Sequence, residues 1–368
     1  MNRFSSTIWL ILMNIRERIY SALNGNEVDY VPWAVKPNHL PRGEWERNLR
    51  NLGLGLTIPV RVYNLLRPHV RIEQIYENSF QTSIYKTPVG ELIQKTRIDL
   101  PSEAGERGSH WTTIPLFKKE EDYKVLEFII RDTIVKPSFE DAEIIEAELG
   151  GDGVVYTNMG YSPLMELMIN FMGFRGVAHE AIRRKDVFEE ILEVIHEKKL
   201  EICKVVARSP IKIVLVGDNI DEMIVNPRFF EKYCTPFYEE YIGILKSAGK
   251  IVGSHMDGRL RSLGKLIGET RFDFIHGFTP PPSGNLPISE AKKIWKDKTL
   301  WINIPEVIFY YESSQIVSYV KKLLKEAAPG DRLILSITET IPPRHRRKGY
   351  EAITRAVLEY GKYPINFS

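Results

Sequence analysis

Apolar residues follow two alternating rhythms along this chain, and those rhythms locate its elements. Short, near-continuous apolar runs cover Val31–Lys36, Val154–Asn158, Ile211–Gly217, Lys250–His255, Phe272–Phe278, Thr299–Ile304 and Arg332–Glu339. Such runs predict strands covered on both faces, as in a parallel sheet. Between them, apolar residues spaced three or four apart predict amphipathic helices over Phe188–Val206, Pro227–Ala248, Leu260–Ile267, Ser289–Trp295 and Ser314–Ala327. From Ile211 onward the strand starts lie 22–39 residues apart, the span of one βα unit. Seven strands in this rhythm predict a (β/α)₈ TIM barrel with one strand concealed. A doubly wound nucleotide-binding sheet fits less well, because no G-x-G-x-x-G or P-loop occurs.

Two stretches break the rhythm. Glu73–Ile84 and Val89–Ile98 read as strands around the turn Lys86-Thr87-Pro88, followed by a polar Ser102–Ser109. The region 70–109 is therefore expected as a β-rich insertion at the barrel mouth. At the start, Ile15, Ile19 and Leu23 mark one face of a helix stopped by Gly25. The domain expectation is an N-terminal arm over 1–13 and one barrel over 14–368.

The chain has 368 residues, enough for two average domains or one elaborated barrel. Fifty basic against 48 acidic residues leave a net charge of +2, so no field draws nucleic acid or anionic lipid. The apolar run Ile8–Met13 is far short of the roughly 20 residues of a membrane span. Only Cys203 and Cys234 are present, too few for a disulfide framework or a Cys-rich metal module. A cytoplasmic setting is expected.

Barrel enzymes carry their chemistry at the C-terminal ends of the strands. The polar residues there are Asn158, Asp218, Asn219, Asp221, His255, Asp257, His276, Asn303 and Glu339. His255 and Asp257 are two apart, so on a strand both face the same way. With His276 and Glu339 they read as a divalent-metal site, the alternative being ordinary polar strand caps that tie loops, which spacing alone favours. Asp218 and Asp221 are open to catalytic or Asx-turn readings. Tyr156 and Tyr161 join Asn158, Asn219 and Asn303 as candidate substrate-binding groups. Met159, Met165, Met168 and Met172 with Phe171 and Phe174 read as core, and Arg344–Lys348 as a solvated basic face.

These residues carry a family resemblance. Arg16-Glu17-Arg18, Ala22-Leu23-Asn24-Gly25 and Asp29-Tyr30-Val31-Pro32 resemble the opening of the uroporphyrinogen decarboxylase superfamily. So do Thr87-Pro88-Val89-Gly90, Gly160-x-x-Pro163, Gly217-Asp218, and Asn226-Pro227-x-x-Phe230 running to Pro236. The ending Ile341-Pro342-Pro343, Ala352 and Tyr360-Gly361-x-Tyr363-Pro364 completes a resemblance over about 14–364. It implies a single (β/α)₈ barrel, and barrels of this family often pair as homodimers.

The superfamily contains decarboxylases and corrinoid-linked methyltransferases. The decarboxylases resemble one another in an arginine-rich segment after the first strand, which grips substrate carboxylates. The matching Trp33–Pro41 has neither arginine. The methyltransferase branch is marked by His-x-Cys-Gly and by a Cys before the final Ile-Pro-Pro loop, three zinc ligands. Here His255 matches the His, while Asp257 and Glu339 stand at the Cys positions. Replacing thiolates by carboxylates leaves a harder, more Lewis-acidic metal, suited to an ether oxygen. The resemblance thus implies a metal-dependent (zinc or another divalent ion) methyltransferase. It would move a methyl group between a small methyl ether and the cobalamin of a corrinoid partner protein. His276 would be a further ligand or a general acid. The alternatives are a decarboxylase or lyase using Asp218 or Asp221 with Tyr156 or Tyr161, and a non-catalytic ligand-binding barrel.

Overall fold

A computed structural model describes residues 13–100 and 109–367 of the chain. All but the last residue of the arm expected over 1–13, and most of the polar stretch Ser102–Ser109, lie outside the described residues. Eight parallel strands close into a barrel: β1 (Trp33–Val35), β2 (Leu54–Val60), β3 (Gly153–Asn158), β4 (Ile213–Gly217), β5 (Ile251–His255), β6 (Phe274–Phe278), β7 (Thr299–Asn303) and β8 (Leu333–Ser336). Each pairs with the next in sequence, and β8 returns to β1 through Trp33 and Leu335.

The continuous apolar runs hide a strict division of labour. On β4, Ile213 and Leu215 face the lumen, while Val214 and Val216 face the outer helices. On β8, Ile334 is inside and Leu333 and Leu335 are outside. Ala34, Val154, Tyr156, Phe274 and Trp301 complete the lumen cluster, filling the barrel as a packed core.

The N-terminal helix Ile15–Asn24 plugs the lower end. Asn14 and Glu17 form a reciprocal capping box at its start, and Gly25 stops it with φ 72°. Its Ile15, Ile19, Ala22 and Leu23 join the lumen cluster, and Thr299 Oγ1 donates to the Ala22 carbonyl at 2.8 Å. β2 is the strand that periodicity concealed, since Gly53, Gly55 and Pro59 weaken its signal. Gly55 is required there: a Cβ would sit 2.2 Å from Ile15 Cγ1.

The insertion leaves the C-terminal end of β2. Antiparallel strands Tyr63–Leu66 and Ile134–Pro137 form its base. A meander of Arg71–Glu77, Phe80–Thr87, Gly90–Leu100 and Ser109–Ile114 forms its body. The expected strand Glu73–Ile84 is two strands, because Asn78 and Ser79 adopt φ 48° and 65° and turn the chain. Leu92 of the meander is buried in the main core with Val125 and Leu126 of the helix Asp122–Arg131. The helix expected over Pro227–Ala248 breaks at Cys234 into Pro227–Tyr233 and Thr235–Ser247. Among the described residues, no helix is long and apolar enough to cross a membrane.

If the plug is integral to the lumen core, Ile19→Ala will destabilise the protein by about 2–5 kcal/mol, typical of a large-to-small change at a buried site. Urea unfolding will show this as a lower midpoint at constant slope. An unaltered midpoint would mean that the helix adds nothing to the core.

Candidate active site

Toward the C-terminal ends of the strands the inward positions turn polar. Two residues beyond inward Ala34, Tyr156, Phe274 and Trp301 come Lys36, Asn158, His276 and Asn303. On β5 the same alternation runs through Gly253 to His255, where a Cβ on Gly253 would meet the Phe274 ring at 2.5 Å. Register puts Gly217, His255, His276 and Trp301 at one level on consecutive strands.

His255 and His276 meet directly, with Nδ1 to Nδ1 at 2.7 Å and rings 5.0 Å apart. Such a contact needs a single proton between the two nitrogens. His276 is deeply buried against Tyr156 and Trp301, whose rings lie 5.9 and 5.1 Å away. Burial, reinforced by His255 and Lys36, pushes its pKa well below the usual imidazole range, so His276 is neutral. On its other side, His255 Nε2 stands 3.4 Å from Asp257 Oδ2.

Glu339 lies in the loop three residues past β8, which ends at Ser336 rather than reaching Glu339 as periodicity suggested. Its carboxyl is pushed up by burial and by repulsion from Asp257, against the pull of His255 and Lys36. Asn303 holds this loop. Its Oδ1 accepts from the Thr338 amide at 2.9 Å, and its Nδ2 approaches Thr279 Oγ1 at 3.2 Å and Glu339 Oε1 at 3.5 Å.

Two ligands held about 2.0–2.1 Å from one tetrahedral ion stand roughly 3.3–3.4 Å apart. His255 Nε2 and Asp257 Oδ2 match that spacing, and His276 can accept the Nδ1–H of His255 and fix the ligating tautomer. Two neighbouring carboxylates, with no salt bridge to Glu339 among the described residues, also suit a divalent cation. Among the described residues, no three His, Cys, Asp or Glu side chains close into one cation cluster, so Glu339 stands near the pair without completing it.

The remaining candidates divide by which way their backbone faces. Asp218 follows inward Gly217 and so points outward. It is fully buried, and its carboxylate accepts from the Tyr238 hydroxyl and the Ser162 amide. Asp221 ties two loops, accepting from the Met223 amide at 2.7 Å and the Arg259 amide at 3.0 Å. Asn158 turns its Oδ1 onto the Gly160 amide at 2.7 Å, and Asn219 is exposed at φ 47°. Tyr156 forms part of the floor. Tyr161 lies at the rim, where burial, Asp218, Glu166 and Asp257 together raise its pKa. Met159, Met165, Met168, Phe171 and Met172 are core, as expected, whereas Phe174, expected with them, is half-exposed in the first turn of the helix Gly173–Arg183; both cysteines are buried.

Lys36 and His39 are not among the sequence candidates, although counting two residues on from Ala34 would have found Lys36. Its backbone is extended, at φ −69° and ψ 143°, so the alternation of β1 carries on through it. Burial lowers its pKa, and Glu339 draws it back up.

The two aspartates can be separated by stability. Asp218→Ala strips buried donors of their acceptor and should cost about 2–4 kcal/mol in urea unfolding. Asp257→Asn should leave the midpoint unchanged or raise it, because Glu339 loses a like-charged neighbour. The reverse order would contradict this assignment.

A methyltransferase from Methanosarcina mazei matches over 95% of this chain and 99% of its own, at a TM-score of 0.58 and 12% identity. A GH5-4 broad specificity endoglucanase from Bacteroides salanitronis matches over 96% of this chain and 99% of its own, at 0.42 and 8%. A search of the curated proteins found no match. The family model for uroporphyrinogen decarboxylase (URO-D) matches residues 108–360. That match runs from the insertion through β3 to β8 and the final helix, well over half of the chain, and the protein therefore belongs to the uroporphyrinogen decarboxylase family.

Proposed function

We propose that the protein is a metal-dependent methyltransferase acting between a small methyl ether and the cobalamin of a corrinoid partner protein. The observation that carries this reading is the His255 Nε2 to Asp257 Oδ2 spacing of 3.4 Å, backed by the buried His276. The barrel shared with the Methanosarcina mazei methyltransferase is compatible with it. The donor set is imidazole and carboxylate without thiolate, since Cys203 and Cys234 are buried elsewhere.

When bound, a divalent ion such as zinc would supply Lewis acidity to the ether oxygen, and the partner's cobalamin the nucleophile for the methyl carbon. The chain's own residues do the positioning. His276 accepts the Nδ1–H of His255 and fixes the ring, leaving Nε2 directed at the ion site beside Asp257. Glu339, held by the Asn303 loop, is the third ligand that would close onto the ion. The Tyr156 and Trp301 rings form an apolar floor that excludes water and strengthens every charge interaction above them. Tyr161, half-buried at the rim, would contact the substrate.

Metal content and cob(I)alamin methylation test the reading together. Wild-type protein should hold about one equivalent of divalent metal, and His255→Ala, Asp257→Ala and Glu339→Ala should lose it. His276→Ala should keep the stoichiometry but weaken affinity by about 10–100-fold, the usual effect of removing an outer partner. Unchanged occupancy in the ligand variants would end the metal proposal. Loaded enzyme that methylates no cob(I)alamin from any methoxylated compound would end the methyltransferase proposal.

A further inference from the structure

The meander of the insertion has a free edge. Its strands lie in the order Arg71–Glu77, Phe80–Thr87, Gly90–Leu100 and Ser109–Ile114, so Arg71–Glu77 has a neighbour on one side alone. Residues 71–77 pair in unbroken antiparallel register with residues 86–80, without a bulge and without proline. Edges of this kind are ordinarily shortened, bulged or covered, because they present a row of unused donors and acceptors. Among the described residues no other strand pairs with this one. Its apolar side chains are also open to water, with Ile72, Ile75 and Tyr76 at 44%, 51% and 62% exposure.

The turn decides which backbone groups are unused. Asn78 and Ser79, both at positive φ, close a two-residue hairpin in which Glu77 and Phe80 exchange hydrogen bonds. Pairing alternates from there, so Glu77, Ile75, Glu73 and Arg71 turn their amides and carbonyls inward. Ile72, Gln74 and Tyr76 turn theirs outward.

A second copy of this edge fits those groups in one register. Antiparallel pairing about a two-fold axis at Gln74 sets Gln74 opposite its own copy, Ile72 opposite Tyr76, and Arg71 opposite Glu77. Each facing pair of outward residues then exchanges two backbone hydrogen bonds. An aromatic residue against a β-branched one, and opposite charges face to face, are both favourable across strands. The neighbouring registers with the same backbone alternation set Glu73 opposite its own copy, or opposite Glu77, and are repelled. The charges are available for this use. Glu77 makes no ion pair among the described residues, and Arg71 reaches Glu73 at 3.4 Å while remaining exposed.

We propose that the protein forms a two-fold dimer through this edge, which joins the two meanders into one continuous sheet with Gln74 on the axis. The contact is isologous and therefore closed, so association stops at two copies. It rests on the insertion alone and is independent of the metal and methyl-transfer readings.

Sedimentation equilibrium of the full chain should show a concentration-dependent equilibrium between monomer and dimer. Gln74→Pro removes an outward amide and spares the ladder to Phe80–Thr87, as proline does on an edge strand. It should give a monomer with an unchanged circular dichroism spectrum. Arg71→Glu should raise the dissociation constant about tenfold, because it turns two attractive cross-strand pairs repulsive. Adding Glu77→Arg to it should restore the affinity. Cross-linking reads the register, since Cys203 and Cys234 are the chain's two cysteines and both are buried. On copper-catalysed oxidation Gln74→Cys should give a disulfide-linked dimer, as facing α-carbons there stand about 5.5 Å apart. Ile72→Cys should not, because its copy lies about 14 Å away along the edge. A monomer at every concentration, a dimer that Gln74→Pro leaves intact, or cross-linking by Ile72→Cys in place of Gln74→Cys would overturn the proposal.

Discussion

Closure of the barrel in a fixed parallel register is the constraint on which everything else rests. Once each strand pairs with its neighbour in sequence, every second residue is committed to the lumen, and residues from different strands meet at defined levels. The lower levels carry Ala34, Val154, Ile213, Phe274 and Ile334 and accept the N-terminal helix as a plug. The upper level carries His255 and His276 side by side because their strands are in register at those two residues. A slip of one residue in either strand would turn that strand's imidazole toward the outer helices. The contact at Nδ1 is therefore a consequence of strand pairing.

The mouth then faces a charge problem. Two carboxylates, two imidazoles and a lysine share a partly desolvated space over an aromatic floor. Repulsion between Asp257 and Glu339 raises the Glu339 pKa, while burial holds His276 neutral and weakens the protonated form of Lys36. Groups shifted in opposite directions by a common environment are characteristic of functional sites. The proposed cation answers the carboxylates Asp257 and Glu339 directly.

Much of the fold was legible because parallel strands, apolar on both faces, stand out as short continuous runs. The strand that escaped, β2, is interrupted by Gly55 and Pro59, and Gly55 is there because Ile15 occupies the space of a side chain. The hairpin at Asn78-Ser79 lacked the glycine that usually announces such a turn. In the site, proximity to a strand end proved too coarse a criterion. Facing decided the matter: Asp218 follows inward Gly217, points outward and holds Tyr238 and Ser162. Lys36, two residues beyond inward Ala34, enters the lumen. Glu339 sits in a loop, where no alternation applies, and only the folded chain shows that Asn303 steers it toward the others.

The central claim is that His255 and Asp257, joined by Glu339, form one thiolate-free cation site at the barrel mouth. X-ray absorption at the metal edge of protein loaded with one equivalent of zinc addresses it most directly. The expected spectrum contains nitrogen and oxygen donors at about 2.0–2.2 Å, an imidazole signature, and no sulfur. A sulfur shell at about 2.3 Å, or zinc that never saturates at one equivalent, would contradict it.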